Sequence, residues 1–190
     1  MPSNITTMLT RPAVVRGATV LNVLTWLGQA AIAFAHDPSG NHSVEGAAEH
    51  LQLGLLTLCA LTLVPILLRL GAAARAPRAA AVAAVGANAV GLLCVISNVN
   101  SGDPSFFTIV AVPSMLSWFG GFVVLGVAIW RTGALPKAYA IALPVTWLCG
   151  SVGAQAGLGI ATAVFWTLVA RELGVFDPAP DHQAPEPSMA

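Results

Sequence analysis

The sequence predicts an all-α integral membrane protein, a compact bundle of six transmembrane helices with both termini in the cytoplasm. The first observation is composition: 56% of the 190 residues are hydrophobic and only 8% are charged, with a mean hydropathy of +0.79. Soluble domains carry about 25% charged residues. So few charges cannot cover a water-facing surface, whereas a lipid-facing surface needs none. The other two observations are the lengths of the apolar runs and the placement of the basic residues.

The first four predicted crossings are apolar runs of the length that a hydrocarbon core requires, about 17–25 residues. They cover 17–35, 51–68, 79–99 and 106–130. Basic residues or polar turns separate them. Each run therefore predicts one transmembrane helix.

The last apolar stretch, 138–170, is too long for one crossing. A single helix of that length would extend about 50 Å, against a core of about 30 Å. Its middle, 150–155, is rich in glycine and turn-capable residues. We therefore predict two helices, near 138–150 and 154–171. Because both are short, a tilted helix or a re-entrant hairpin is an open alternative.

Charge placement favours six crossings over five. With six crossings and a cytoplasmic N-terminus, all lysines and arginines fall on one side, which the positive-inside rule makes cytoplasmic. These residues are Arg11, Arg16, Arg69, Arg75, Arg78, Arg131, Lys137 and Arg171. A five-crossing alternative places Arg171 outside, or treats the first run as a cleaved signal peptide. The predicted transmembrane domain covers 1–173, and the proline-rich tail 174–190 is expected to be disordered.

Composition also excludes several classes of function. The net charge is zero and no basic stripe is visible, so nucleic acid is not an expected partner. The three cysteines have neither a disulfide pattern nor metal-ligand spacing. No nucleotide-binding or haem motif appears, and we expect no cofactor and no metal. The richness in Ala, Gly and Pro is typical of a bacterial chain, which predicts a multi-pass protein of the bacterial inner membrane.

The predicted outer loop between the first two crossings concentrates the ionisable residues. The segment 36–50 holds three of the four histidines and three of the eight acids. Glu45 and Glu49 are four residues apart, so on a helix their carboxylates repel each other. This repulsion favours the protonated form of one of them. The predicted catalytic residues are Asp37, His42, Glu45, Glu49 and His50, joined by Asp103 from the next outer loop. The alternative is a solvated loop followed by an acidic first turn that complements the helix dipole.

Neutral polar and aromatic residues within the predicted crossings are candidates for substrate binding. Buried amides either tie helices together or line a pocket, and tryptophan rings either pack or stabilise a carbocation. The candidates are Asn22, Gln29, Asn88, Trp26, Trp118 and Trp147.

Together these features favour an intramembrane enzyme that acts on an apolar isoprenoid or lipid by acid catalysis. The available residues fit a cofactor-independent cyclisation or isomerisation. Membrane-bound terpene cyclases use chemistry of this kind. The alternative is a non-enzymatic carrier, an export or immunity component, or an accessory subunit of a membrane complex. Expected partners are membrane lipid and an apolar small molecule. A homo-oligomer is also predicted, through the four-residue spacing of Gly153, Gly157 and Ala161.

Overall fold

A computed structural model describes residues 4–35, 46–151 and 153–177, and every regular element within them is helical. The elements in chain order are α1 (Asn4–Leu9), α2 (Pro12–Ala35), α3 (Ala47–Ala73), α4 (Pro77–Asn100), α5 (Phe107–Thr132), α6 (Lys137–Ser151), a 3₁₀ turn (Ala154–Ala156) and α7 (Gly159–Glu172). The predicted all-α class is confirmed. Most of the predicted loop 36–50 and all of the tail beyond 177 lie outside the described residues.

Four helices, α2 to α5, are long and apolar enough to cross a membrane. The predicted break in the last apolar stretch is also confirmed, because α6 ends at Ser151 and α7 begins at Gly159. These two helices have 15 and 14 residues, or roughly 22 Å each at 1.5 Å per residue. That is less than the roughly 30 Å hydrocarbon core. The structure therefore shows a helical fold compatible with a membrane protein, with four helices of spanning length, and does not confirm the count of six.

Successive long helices run in opposite directions. His50, near the start of α3, is hydrogen-bonded to Asn98, near the end of α4. Gly71, near the end of α3, lies against Ala80, near the start of α4. Each helix from α2 to α6 packs on the next, and α7 packs back on α2, which closes the bundle.

This alternation gives the bundle two chemically different ends. One end, here called the inner end, holds the starts of α2, α4 and α6 and the ends of α3, α5 and α7. All eight lysines and arginines lie within or next to these helix ends. The opposite, outer end holds the start of α3 and the turn 101–106.

Close helix contacts in the inner half depend on small residues. A Cβ added at Gly121 of α5 would lie 2.7 Å from the backbone nitrogen of Ala83 on α4. At Gly126 it would lie 2.5 Å from the carbonyl oxygen of Ala140 on α6. Larger side chains would push these backbones apart, so the glycines determine the packing distance. Large side chains then fill the remaining space, and Leu67, Leu70 and Leu125 are fully buried there.

The helices α6 and α7 do not reach the outer end, although the turn between them contacts the last turn of α2. Trp147, near the end of α6, contacts Phe119 of α5, and Gly159, at the start of α7, lies against the backbone of Trp26 on α2. The helices α2 and α5 continue past these levels by roughly 13–18 Å at 1.5 Å per residue. Toward the outer end only the turn between α6 and α7 accompanies the four long helices, whereas all six helices pack together in the inner half.

The predicted small-residue stripe is not a helical face, which corrects its premise. Gly153 precedes the 3₁₀ turn, Gly157 ends it with a φ of +80°, and only Ala161 belongs to α7. Four-residue spacing aligns side chains only along a continuous helix. Gly157 lies against the ring of Phe34 instead. The predicted homo-oligomer itself stays a prediction, and of these three residues only Ala161 is exposed.

Candidate functional site: the central cavity

A cavity of about 260 Å³ lies between the helices in the outer half of the bundle. It is here called the central cavity. Five helices contribute to its wall, which is mostly apolar. The lining residues are Trp26, Leu53, Leu56, Cys59, Ala60, Ala87, Val90, Gly91, Cys94, Asp103, Phe107, Met115, Trp118, Gly150 and Ser151.

Small residues in the cavity wall pack closely on neighbouring helices near the end of α6. Gly91 of α4 packs closely on Ala60 of α3. A Cβ added at Gly91 would lie 2.9 Å from the Cβ of Ala60. Gly150 lies against the ring of Trp26 near the end of α6. Beyond Ser151 the chain forms the 3₁₀ turn Ala154–Ala156, which packs on α2, so α6 itself does not continue between the long helices. The result is a space bounded by side chains of α2 to α6.

Among the described residues that line this cavity, Asp103 is the one carboxyl. It lies in the turn between α4 and α5, is exposed to solvent, and therefore marks the mouth of the cavity at the outer end. The hydroxyl of Ser97, itself 1% exposed, donates to Oδ1 of Asp103 at 2.7 Å. This hydrogen bond holds one carboxyl oxygen on the end of α4.

The other described members of the predicted catalytic cluster have local partners. Glu49 accepts a hydrogen bond from the N–H of Gly46 at 2.5 Å, the geometry of a residue that stabilises the start of α3. His50 is hydrogen-bonded through Nδ1 to Oδ1 of Asn98, whose Nδ2 donates to the carbonyl of His50 at 3.1 Å. Neither Glu49 nor His50 lines the central cavity. Their catalytic role stays a prediction.

The remaining members of that cluster, Asp37, His42 and Glu45, lie outside the described residues. The structure thus brings Asp103 to the cavity and ties His50 between α3 and α4. It places no second acid or histidine of the described chain in the cavity wall.

Two of the three predicted tryptophans form part of the cavity wall, and the third lies behind it. Trp26 and Trp118 line the cavity, at 1% and 7% exposure. Trp147 packs edge-on against Trp118, with ring centroids 6.4 Å apart. The indole N–H of each has no hydrogen-bond acceptor among the described residues. Buried N–H groups normally have an acceptor, so the wall contains unused donors as well as aromatic faces.

The three predicted amides tie helices together and do not line the cavity. Asn22 of α2 donates to the carbonyl of Cys59 at 3.0 Å and to the hydroxyl of Thr62 at 2.9 Å. Gln29 of α2 donates to the carbonyl of Gln52 at 2.7 Å.

Asn88 of α4 donates to the carbonyl of Ala84, one turn earlier, at 2.8 Å. It also reaches the carbonyl of Ala60 on α3 at 3.4 Å. Interhelical hydrogen bonding is the expected partner for an amide at lipid depth. A role for any of the three amides in substrate binding stays a prediction.

Sequence reasoning missed several lining residues, chiefly Cys59, Cys94 and Met115. Each is a common packing residue in an apolar run, so nothing in its type indicates a cavity. The available signal was the abundance of Ala and Gly on α3 and α4 at positions that face each other. That pattern also describes close helix packing, and only the tertiary structure distinguishes the two.

No protein-family model, curated protein or solved structure matches this chain. Within the described ranges, no group of three or more histidines, cysteines and acids is placed to hold a metal ion. What remains is an apolar, partly aromatic cavity with an oriented carboxyl at its mouth. Such an arrangement is able to bind a small apolar molecule and to exchange a proton with it.

Proposed function

We propose that this protein is a six-crossing protein of the cell membrane, with both termini inside the cell, that binds a short isoprenoid or lipid in the central cavity and acts on it by acid catalysis. The alternating helix directions support the topology, because they collect all the basic residues at one end. The observation that carries the function is the apolar cavity with Asp103 at its mouth.

The size of the cavity limits the substrate. Its volume, about 260 Å³, is slightly below the roughly 300–1,000 Å³ typical of ligand pockets. A short isoprenoid, or one end of a longer one, fits this space better than a complete lipid. The apolar wall provides no ionic anchor within the bundle, so the ligand must be held by shape and by the aromatic rings. A polar group on the ligand would lie at the mouth, beside Asp103.

The proposed reaction needs no cofactor. The protonated carboxyl of Asp103 transfers its proton to a carbon–carbon double bond of the substrate, which leaves a carboxylate and a tertiary carbocation. The rings of Trp26 and Trp118 stabilise that cation through their faces. Loss of a proton from a neighbouring carbon back to the carboxylate forms a new double bond, so the net change is an isomerisation or cyclisation. Ser97 acts as a positioning residue, because its hydroxyl holds Oδ1.

Mass spectrometry of apolar extracts tests the enzymatic proposal. Cells that make the protein should contain an isoprenoid isomer or cyclised product that cells without it lack. Asp103→Asn should abolish the product with unchanged expression, because the amide is no acid. Asp177→Asn is the matched control, since Asp177 lies at the inner end and should leave the product unchanged. Unchanged product in Asp103→Asn would overturn the catalytic role of this carboxyl.

A second candidate, a binder or carrier of the same ligand without chemistry, is favoured by the surroundings of Asp103. Its hydrogen-bond partner is a serine, and the carboxyl is exposed, whereas an acid catalyst is often shielded from water. Purified protein would then retain the unchanged ligand through extraction. The wild type and Asp103→Asn would then retain the same molecule. Extracts of cells that make either protein would contain no isomerised or cyclised product.

The topology has its own test. On a background without native cysteines, a single cysteine at 102 should react with a membrane-impermeant maleimide from outside. Cysteines at 75 and 134 should react only after the membrane is opened. Reaction of a cysteine at 182 from outside would replace six crossings by an odd number.

A further inference from the structure

The geometry points to a second binding site, for an anionic phospholipid, in a groove between α5 and α6 at the inner end. The groove has a volume of about 280 Å³ and lies on the outside of the bundle. It shares no residue with the central cavity and does not depend on the proposed function. The phosphate would lie on Arg131 and Lys137, and the first part of an acyl chain would lie in the groove.

The floor of the groove is made of small residues and backbone. An added Cβ at Gly126 would touch the carbonyl oxygen of Ala140 at 2.5 Å, so the two helices approach closely there. Pro144 has no N–H to donate to that same carbonyl, which leaves the oxygen directed at α5. A close backbone contact beneath larger neighbours produces a depression rather than a flat face.

The walls of the groove are large, apolar and directed at lipid. Val127 is 45% exposed and Ile141 is 62% exposed. Both belong to the lining, as does Trp130. Exposed apolar side chains on a membrane-spanning helix face acyl chains, because no water is present at that depth. The groove is therefore open to the bilayer and matches an acyl chain in polarity.

Two positive charges lie at the end of the groove nearest the membrane surface. Arg131 is part of the groove lining. Lys137 lies over the ring of Trp130, with its Nζ 4.9 Å from the ring centroid. Across the described ranges, neither residue forms an ion pair or hydrogen bond with a carboxylate. A guanidinium and an ammonium at one rim provide several donors for phosphate oxygens.

The dimensions agree with one phospholipid. Pro144 lies seven residues along α6 from Lys137, which corresponds to about 10 Å. That is most of the roughly 15 Å thickness of one hydrocarbon leaflet, taken as half of the core. The charges thus lie at headgroup level when the groove holds the proximal part of an acyl chain. Charge complementarity selects an anionic lipid over a zwitterionic one.

Native mass spectrometry of the delipidated protein in detergent tests this site. The probes are phosphatidylglycerol and phosphatidylcholine with identical acyl chains. We expect the wild type to bind phosphatidylglycerol at least tenfold more tightly. Replacing both Arg131 and Lys137 by glutamine should weaken binding about 25-fold, at about fivefold for each charge near the surface. The double variant Arg69→Gln/Arg75→Gln removes the same charge at the same end and should change the affinity less than threefold.

A third variant separates the groove from the charges. Val123→Trp places a bulky ring in the apolar part and should weaken phosphatidylglycerol binding at least fivefold, with an unchanged thermal midpoint. Equal losses in the two charge-pair variants, or no loss in Val123→Trp, would overturn the site in favour of general attraction to the inner end. Inorganic phosphate that displaces the lipid at equal concentration would also overturn it, because the acyl chain would then contribute nothing.

Discussion

The inner and outer halves of the bundle are built from similar residues but are packed differently. Nearly all of the largest fully buried side chains lie in the inner half or at mid-depth, among them Leu67, Leu125 and Ile129. Only Trp26 and Gln29 among the largest fully buried residues belong to the outer half. The outer half instead contains the central cavity. Apolar composition alone therefore does not produce a filled core.

The difference follows from the number of helices at each level. In the inner half, α6 and α7 complete the bundle, and glycines bring the backbones into contact. In the outer half α6 ends at Ser151, and its last residues and the four long helices enclose a space that small side chains do not fill. A shortened hairpin thus leaves a cavity in the bundle without interrupting its long helices.

The largest effect on stability should come from the inner-half contact at Gly121. Gly121→Ala places a Cβ within 2.8 Å of the backbone and side chain of Ala83, and overpacking of this kind costs about 1–3 kcal/mol. Gly120→Ala is the matched control, because a Cβ there meets nothing within 4 Å. Unfolding by denaturant in detergent micelles gives both free energies. Similar values for the two variants would mean that the inner half is not tightly packed.

A smaller effect is expected at the tip of the hairpin. Gly157 has a φ of +80°, a conformation that costs an alanine about 1–2 kcal/mol. Gly157→Ala should lower the free energy of unfolding by that amount. A Cβ there would also lie 2.6 Å from the ring of Phe34, so the same substitution in a Phe34→Ala background separates backbone strain from the steric clash. A full rescue by Phe34→Ala would show that the backbone conformation is not the cause.

Filling the cavity should affect binding more than stability. Cys94→Leu points additional carbon atoms into the central cavity and should raise the free energy of unfolding by up to about 1 kcal/mol. It should also weaken retention of the proposed isoprenoid at least tenfold. Val95→Leu is the control, since Val95 is exposed on the lipid-facing side of α4. A marked loss of stability in Cys94→Leu would indicate that the outer half is as tightly packed as the inner half.

The smallest effect on stability should come from the hydrogen bonds between helices. Asn22→Ala removes two interhelical hydrogen bonds from α2 to α3, and such bonds in membranes average about 0.6 kcal/mol. Its Oδ1 has no donor among the described residues, so part of the loss is offset by removing an unsatisfied atom. If Asn22→Ala lowered the free energy of unfolding by more than 2 kcal/mol in the same denaturant assay, hydrogen bonds rather than packing would hold α2 in place.

Much of the fold was predictable because lipid imposes simple rules on sequence. The four long spans follow from run length, and the break near 150–155 follows from a stretch that exceeds the bilayer. Asp103, Trp26 and Trp118 were identified as candidates from their type and depth. Their convergence on one cavity was not predictable, since they lie on three separate segments of the chain and no local pattern relates them.

The sequence by itself determined the membrane class, the helix directions and the collection of basic residues at one end. Hydrophobicity and charge act residue by residue, so they can be read without the fold. Only the tertiary structure decided that the hairpin stops short, that the residues 153, 157 and 161 share no face, and that small residues leave a cavity instead of closing it. Those outcomes depend on distances between helices, which are determined by side chains from several segments packing at once.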